Sequence, residues 1–308
     1  MVYCEGTIDV ETRNTFWLRY VILGITSLLF IYPLVYAVGV GFMTANQFAT
    51  TPPTLLPFQR PFSLRNYRLL LLINIRTEPN MPYYYANSVI RTAWYIVWAV
   101  LVSFVAGYVF ARLRFRGKNI LFLTLLMTTM IPPVVTMAPT YLMMARFPLV
   151  GGNDFFGRGG SGFLDTYPVL FVLNLVNILG IFLVRMSMQT FPKAIEDSGR
   201  MDGAGIFRVM FQLVFPIQKP ILAYVAITTG VLIWNDWYTP FVFTDRRIFQ
   251  TLAAAVSRLT SVAVGQYGIP DWPHIITLGL GMTIPSVIMF AIFQRYIVAG
   301  LASAAVKG

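Results

Sequence analysis

Charge is what this sequence has least of. Of 308 residues, 11% are charged and 57% are hydrophobic, where a soluble domain carries about 25% charged residues. That excludes a soluble globular chain and points to a membrane protein. Cysteine occurs once, at Cys4, so no intrachain disulfide can form. Histidine also occurs once, at His274, with Asp271 as its one nearby carboxylate. This spacing suits a histidine at a helix start and gives no metal-ligand set. Paired acids and a nucleophile beside a base are missing too, so the chain reads as no enzyme and binds no cofactor of its own. No series of acids crosses the apolar runs, which argues against a proton-coupled pump. The net charge of +11 would suit nucleic acid, but the basic residues form no long run and no basic face. They fit better as flanks of membrane spans facing anionic lipid head groups.

What is present is apolar sequence in long runs. A helix needs about 20 apolar residues to cross a bilayer. Six runs qualify: Phe16 to Met43, Ser88 to Ala111, Asn119 to Ala145, Thr166 to Met188, Pro220 to Phe243 and Trp272 to Val298. Aromatics suited to head-group depth flank several of them, including Trp17, Tyr83 to Tyr85, Trp237 and Trp272. The alternating pattern of a membrane β-barrel is absent, so the expected class is an all-α bundle. Glu5, Asp9 and Glu11 stand where a signal peptide would be basic, and the run after them is long, so the first span reads as a retained anchor. Six spans put both termini on one face. That face would hold 13 of the basic residues, including every lysine, and the other 10, which favours cytoplasmic termini. The chain then divides into a cytoplasmic tail at 1–15, a six-span region at 16–298 and a cytoplasmic tail at 299–308.

The outer loops would be Thr44 to Asn87, Phe147 to Asp165 and Thr244 to Asp271. The first contains "TTPPTLLPFQRP", whose prolines favour extended or turn structure. The second contains "GGNDFFGRGGSG", which reads as a flexible loop. It lacks the lysine and hydroxyl of a G-x-x-x-x-G-K-[ST] phosphate cradle. Within the spans, Pro132, Pro133 and Pro285 predict kinks. Asn174 and Asn177 read as helix-to-helix hydrogen-bonding residues. Asp236, in "IWNDWYTP", is either a functional intramembrane acid or one solvated at the outer edge, and both readings stay open. With Trp234, Asn235 and Trp237 it offers the polar groups and aromatic faces that suit a hydroxyl-rich ligand.

One stretch interrupts the apolar pattern with acids and glycines: "FPKAIEDSGRMDGAGIFRVMFQLVFPIQKP", within about 189–219. It reads as two short helices. Pro192 opens the first, Glu196 and Asp197 stand in its early turn, and Gly203 and Gly205 end it. Pro216 and Pro220 break the second before the fifth span. Met201, Ile206, Phe207, Met210 and Phe211 give this charged stretch apolar residues that need something to pack on.

This stretch resembles the EAA motif of the membrane subunits of bacterial ABC importers, roughly E-A-A-x-x-D-G-A followed by P-x-x-x-P. Asp197 stands at the glutamate, Ser198 and Gly199 at the two alanines, and Asp202, Gly203 and Ala204 match directly. Pro216 and Pro220 match the closing prolines. "NSVIRTAWYIVWAVLVSFVAGYVFARLRFRGKN", "MIPPVVTMAPTYLM", "GVLIWNDWYTPFVF" and the terminal "FQRYIVAGLASAAVKG" are similar to the carbohydrate branch, with the maltose-type permease as its example. The resemblance implies a type I importer fold in which a second permease completes the pathway. Two cytoplasmic ATPase subunits would bind ATP and Mg, and an extracytoplasmic solute-binding protein would deliver a sugar or oligosaccharide. Glu196 and the motif residues would couple to the ATPase, and Ala305, Val306, Lys307 and Gly308 would reach between its subunits. A permease for a phosphorylated polyol, peptide or amino acid is the alternative, and a stand-alone channel a more distant one.

Overall fold

The computed structural model describes residues 8–50, 58, 60–72, 81–258 and 271–305, and among them there are helices and turns but no strand. The helices are α1 (Ile8–Gly41), α2 (Ala45–Thr50), α3 (Arg65–Leu72), α4 (Met81–Arg112), α5 (Lys118–Thr128), α6 (Pro133–Ala145), α7 (Tyr167–Val172), α8 (Ile178–Thr190) and α9 (Lys193–Met201). After them come α10 (Ile206–Ile217), α11 (Lys219–Trp234), α12 (Tyr238–Phe243), α13 (252–258) and α14 (Trp272–Ala305). Two compact units divide the chain. One holds Met1–Ile73 and Leu259–Gly281, the other Asn74–Arg258 and Met282–Gly308.

In the first unit, α1 presents apolar side chains outward from Trp17 to Val35, as a lipid-facing helix must. Its C-terminal carbonyls need partners after the last turn. The buried Asn66 supplies them, its Nδ2 donating to the carbonyls of Gly41 (3.0 Å) and Met43 (2.9 Å). Tyr67 donates to the carbonyl of Val38. His274 sits in the first turn of α14, where its N–H faces the Asp271 carboxylate. The described residues contain no group of metal-ligating side chains. Most of the "TTPPTLLPFQRP" segment lies outside the described residues.

The second unit is built on α4. Helices α8 and α11 pack along it, with Phe104, Tyr108, Val184, Met188 and Leu222 buried between them. Gly107 lets α8 come close: a Cβ there would lie 2.6 Å from a Val184 methyl, the small-residue contact typical of membrane helix pairs.

All six apolar runs are helical, but among the described residues only three are single unbroken spans: Trp17–Gly41, Pro82–Arg112 and Trp272–Ile292. The run from Asn119 becomes α5 and α6, bent by 98°. Pro132 adopts extended backbone there and Pro133 opens the next helix, because neither proline has an N–H for the preceding turn. The kink read at Pro285 falls inside α14, which continues through it. The run from Thr166 breaks into α7 and α8, and Asn174 takes a left-handed φ of 58° between them, a conformation asparagine tolerates better than most residues. The fifth run breaks after Trp234, where Asn235 to Trp237 separate α11 from α12.

The glycine-rich loop after α6 is not the flexible segment its composition suggests. Asn153 is buried and donates to the carbonyls of Ala145 and Phe147 while accepting from Gly160 N–H. Asp154 accepts from the N–H groups of Phe156 and Arg158. Gly157 is at φ 73°, and a Cβ on it would stand 2.1 Å from the Arg146 carbonyl oxygen. The glycines here serve close packing.

Candidate functional site

The interrupted stretch forms a compact hook at one end of α4. Pro192 caps α9 with extended backbone, so it precedes the first turn. At the other end of α9, Gly203 N–H donates to the Arg200 carbonyl and Ala204 N–H to the Gly199 carbonyl, both at 3.0 Å. This pair of bonds is a Schellman ending, which needs a left-handed residue just past the cap. Gly203 provides it at φ 81°. A Cβ on Gly203 would meet nothing within 4 Å, so glycine is required there by backbone conformation and not by space. Gly205 has φ −66° and opens α10. Gly199 is required for space: a Cβ would stand 2.5 Å from Leu213 Cδ1.

The two faces of the hook differ. Val209, Met210 and Val214 are buried with Phe104, Tyr108, Val184 and Met188. Met201 is 83% exposed and Phe207 73% exposed. Asp197, Ser198, Asp202 and Gly203 are exposed with them, and Ala204 is half-buried. Of the apolar residues expected to pack on something, Met210 packs inward. Residues 209–214 widen into a π-helical turn. It precedes Pro216, whose ring would clash with the carbonyl four residues back in a regular α-helix. Pro220 lies in the first turn of α11, and α10 and α11 meet at 76°.

Glu196 belongs to the inner face. It is 3% exposed. Its Oε1 lies 2.5 Å from Arg112 Nε and its Oε2 accepts from the Tyr108 hydroxyl at 3.1 Å. Arg112 also donates to the Phe191 carbonyl at 2.8 Å. The glutamate therefore fastens α9 to the last turn of α4 and offers no oxygen to an outside partner. Sequence alone grouped it with Asp197 as a coupling residue. Glu196 and Gly199, three apart, form the buried face of α9, whereas its apolar Ile195 and Met201 are exposed, so the apolar pattern of the sequence carries no signal for this split.

At the opposite end of α4, Arg91 is 1% exposed and its NH2 lies 2.6 Å from Asp236 Oδ2. Its Nε donates to the Leu170 carbonyl at 3.2 Å. Trp94 Nε1 donates to the Phe171 carbonyl and the Tyr95 hydroxyl to the Leu173 carbonyl. Three α4 side chains thus satisfy the carbonyls that α7 leaves unpaired where it breaks, as a bilayer demands. Asp236 Oδ1 accepts from the N–H groups of Tyr238 and Thr239, both at 3.1 Å, and so starts α12 after the second break. Asp236 is therefore paired, and Arg91 is the partner that sequence reasoning missed.

The other polar residues divide similarly. Trp234 is buried and donates to the Met282 carbonyl at 2.9 Å. Asn177 caps α8 by accepting from Gly180 N–H and donates to Thr229 Oγ1 at 2.8 Å, the helix-to-helix role expected of it. Asn174 makes no such bond among the described residues and is exposed in the first break. Asn235 and Trp237 are exposed in the second. Of the tail, Ala305 ends α14, while Val306, Lys307 and Gly308 lie outside the described residues.

No protein-family model matches the chain. An arabinooligosaccharide transport permease, AraQ, of Halalkalibacterium halodurans is 28% identical over 294 residues, covering 95% of this chain and 96% of that protein. The melibiose/raffinose/stachyose import permease MelC of Bacillus subtilis is 27% identical, covering 73% of this chain and 75% of its own length. The sn-glycerol-3-phosphate permease UgpE of Yersinia pestis is 25% identical over 92% of this chain and 94% of that protein. Among solved structures, a chain of a bacterial ABC transporter that imports the acidic polysaccharide alginate superposes with a TM-score of 0.72 at 19% identity, over 94% of this chain and 99% of that one.

Proposed function

We propose that this chain, an integral-membrane permease subunit of an ABC importer, forms with a second permease the pathway for a sugar or oligosaccharide and receives the ATPase stroke through residues 189–219. The observation that carries the reading is the two-faced hook. Its outer face offers Asp197, Met201, Asp202 and Phe207 to a socket, and its inner face is bolted to α4 through Glu196 and Arg112. A pull on the outer face therefore moves a helix that runs the depth of the membrane. Two cytoplasmic ATPase subunits would supply that pull by binding ATP and Mg, and the termini would lie on the same side. A solute-binding protein would present the sugar at the opposite face, where Asn174, Asn235 and Trp237 are the exposed polar and aromatic groups at the two breaks.

The sugar permeases AraQ and MelC support the substrate class. UgpE favours a phosphorylated polyol as the second reading. Against it, Arg91, the arginine at the breaks, is already paired with Asp236. The test is ATPase activity of the reconstituted transporter with its solute-binding protein. Stimulation by arabino-oligosaccharides or raffinose supports the reading, and stimulation by sn-glycerol-3-phosphate alone replaces it.

A further inference from the structure

The α4–α5 corner gathers cations that neither the hook nor the breaks use. Arg112 is neutralised by Glu196, but Arg114 and Lys118 have no acidic partner among the described residues. They line a groove of about 430 Å³ together with Phe115, Gly117, Asn119 and Ile120. Arg185, Lys193 and Arg114 add positive charge around Lys118. Lys118 spends two of its three donors on the carbonyls of Ala111 and Leu113. Arg185 stacks over the Phe122 ring at 3.8 Å, and its buried Nε has no partner.

The backbone adds to this field. Gly117 caps α5 with φ 80° and provides no side-chain cap, and the first turn of α5 contains no acid. The opening N–H groups of the helix have no acceptor within it, and its first residues Lys118, Asn119 and Ile120 line the groove. An uncompensated cluster of cations beside a helix N-terminus, with room for a polyatomic group, is a site for an anion with several oxygens.

We propose that this groove seats a phosphate group, carried either by an anionic lipid head group or by a soluble phosphate. The surroundings favour the lipid. Ile120 is 73% exposed, Leu121 55% and Leu123 54%, so the helix that begins at the groove offers acyl chains an apolar flank.

The test uses the full-length chain with its co-purifying subunits. Retention of dioleoylphosphatidylglycerol is compared with retention of dioleoylphosphatidylcholine by native mass spectrometry. In parallel, thermal unfolding is followed with inorganic phosphate against chloride at matched ionic strength. Each cation near a membrane surface is worth roughly fivefold in affinity for anionic lipid. Arg114→Gln should therefore lose roughly fivefold of the phosphatidylglycerol preference, and Arg114→Gln with Lys118→Gln ~25-fold. Lys118→Arg should retain it, and so should Arg208→Gln, which removes the same charge from the exposed side of the hook. Arg114 is exposed, so the single variant should fold. A phosphatidylglycerol preference lost this way identifies the lipid as the source. No lipid preference, with stabilisation by inorganic phosphate that Arg114→Gln abolishes, identifies a soluble phosphate. Equal retention of both lipids with no phosphate response overturns the proposal, as does an equal loss in Arg208→Gln.

Discussion

Two buried ion pairs sit at the two ends of one helix, and they do different work. Arg91 and Arg112 are roughly 30 Å apart along α4 at 1.5 Å per residue, about the thickness of the hydrocarbon core. At the Arg91 end the ion pair turns its hydrogen bonds inward. The arginine holds the Leu170 carbonyl and Asp236, and Asp236 in turn starts α12. That pair stitches two interrupted spans to an unbroken one. At the Arg112 end the acid comes from a short helix that leaves the bundle and keeps an exposed face. That pair holds to the bundle a segment with an exposed face. The same chemistry therefore closes the fold at one end and anchors an outward-facing hook at the other.

The comparison breaks first at the pairs themselves. Removing one member of a buried pair strands the other and costs about 3–5 kcal/mol. Arg91→Met should cause the largest fall in thermal stability, and Arg91→Met with Asp236→Asn should recover part of it. Full stability in Arg91→Met would show that the breaks hold without their clamp. Glu196→Ala should cost a similar ~3–5 kcal/mol by stranding Arg112, but here uptake should fall further than the yield of folded protein. If uptake tracks yield, the two ends do not differ as described.

Sequence legibility follows the same division. The apolar runs, the glycine at the turn and the closing prolines could all be read because each rests on a local rule: a length, a φ angle, a missing N–H. The interruptions at Asn174 and Asn235 could not, since an asparagine in an apolar run looks alike whether it bonds a neighbouring helix or bends its own. The inward turn of Glu196 and the pairing of Asp236 depend on arginines 84 and 145 positions away in sequence. The glycine-rich loop misled for a related reason. Composition suggests freedom, while the order comes from Asn153 and Asp154 bonding the surrounding backbone.

Smaller effects sharpen the contrast within the hook. Gly199→Ala pushes a Cβ against the flexible end of Leu213. It should cost on the order of 1 kcal/mol, readable as a modest drop in unfolding temperature. Asp202→Ala removes a side chain with no hydrogen bond among the described residues, so its stability should change by less than about 0.5 kcal/mol. A clear loss of ATPase-coupled uptake in that variant would then report an outward contact of Asp202.

Gly203 decides the central claim. Its left-handed φ ends α9, and a Cβ there meets open space, so a β-branched residue should cost about 1–3 kcal/mol of local strain and leave the spans alone. The measurement is co-purification of the ATPase subunits with the Gly203→Val permease, alongside uptake in cells. The account predicts normal membrane insertion, poor retention of the ATPase and loss of uptake. An ATPase that stays bound, with uptake preserved, would contradict it.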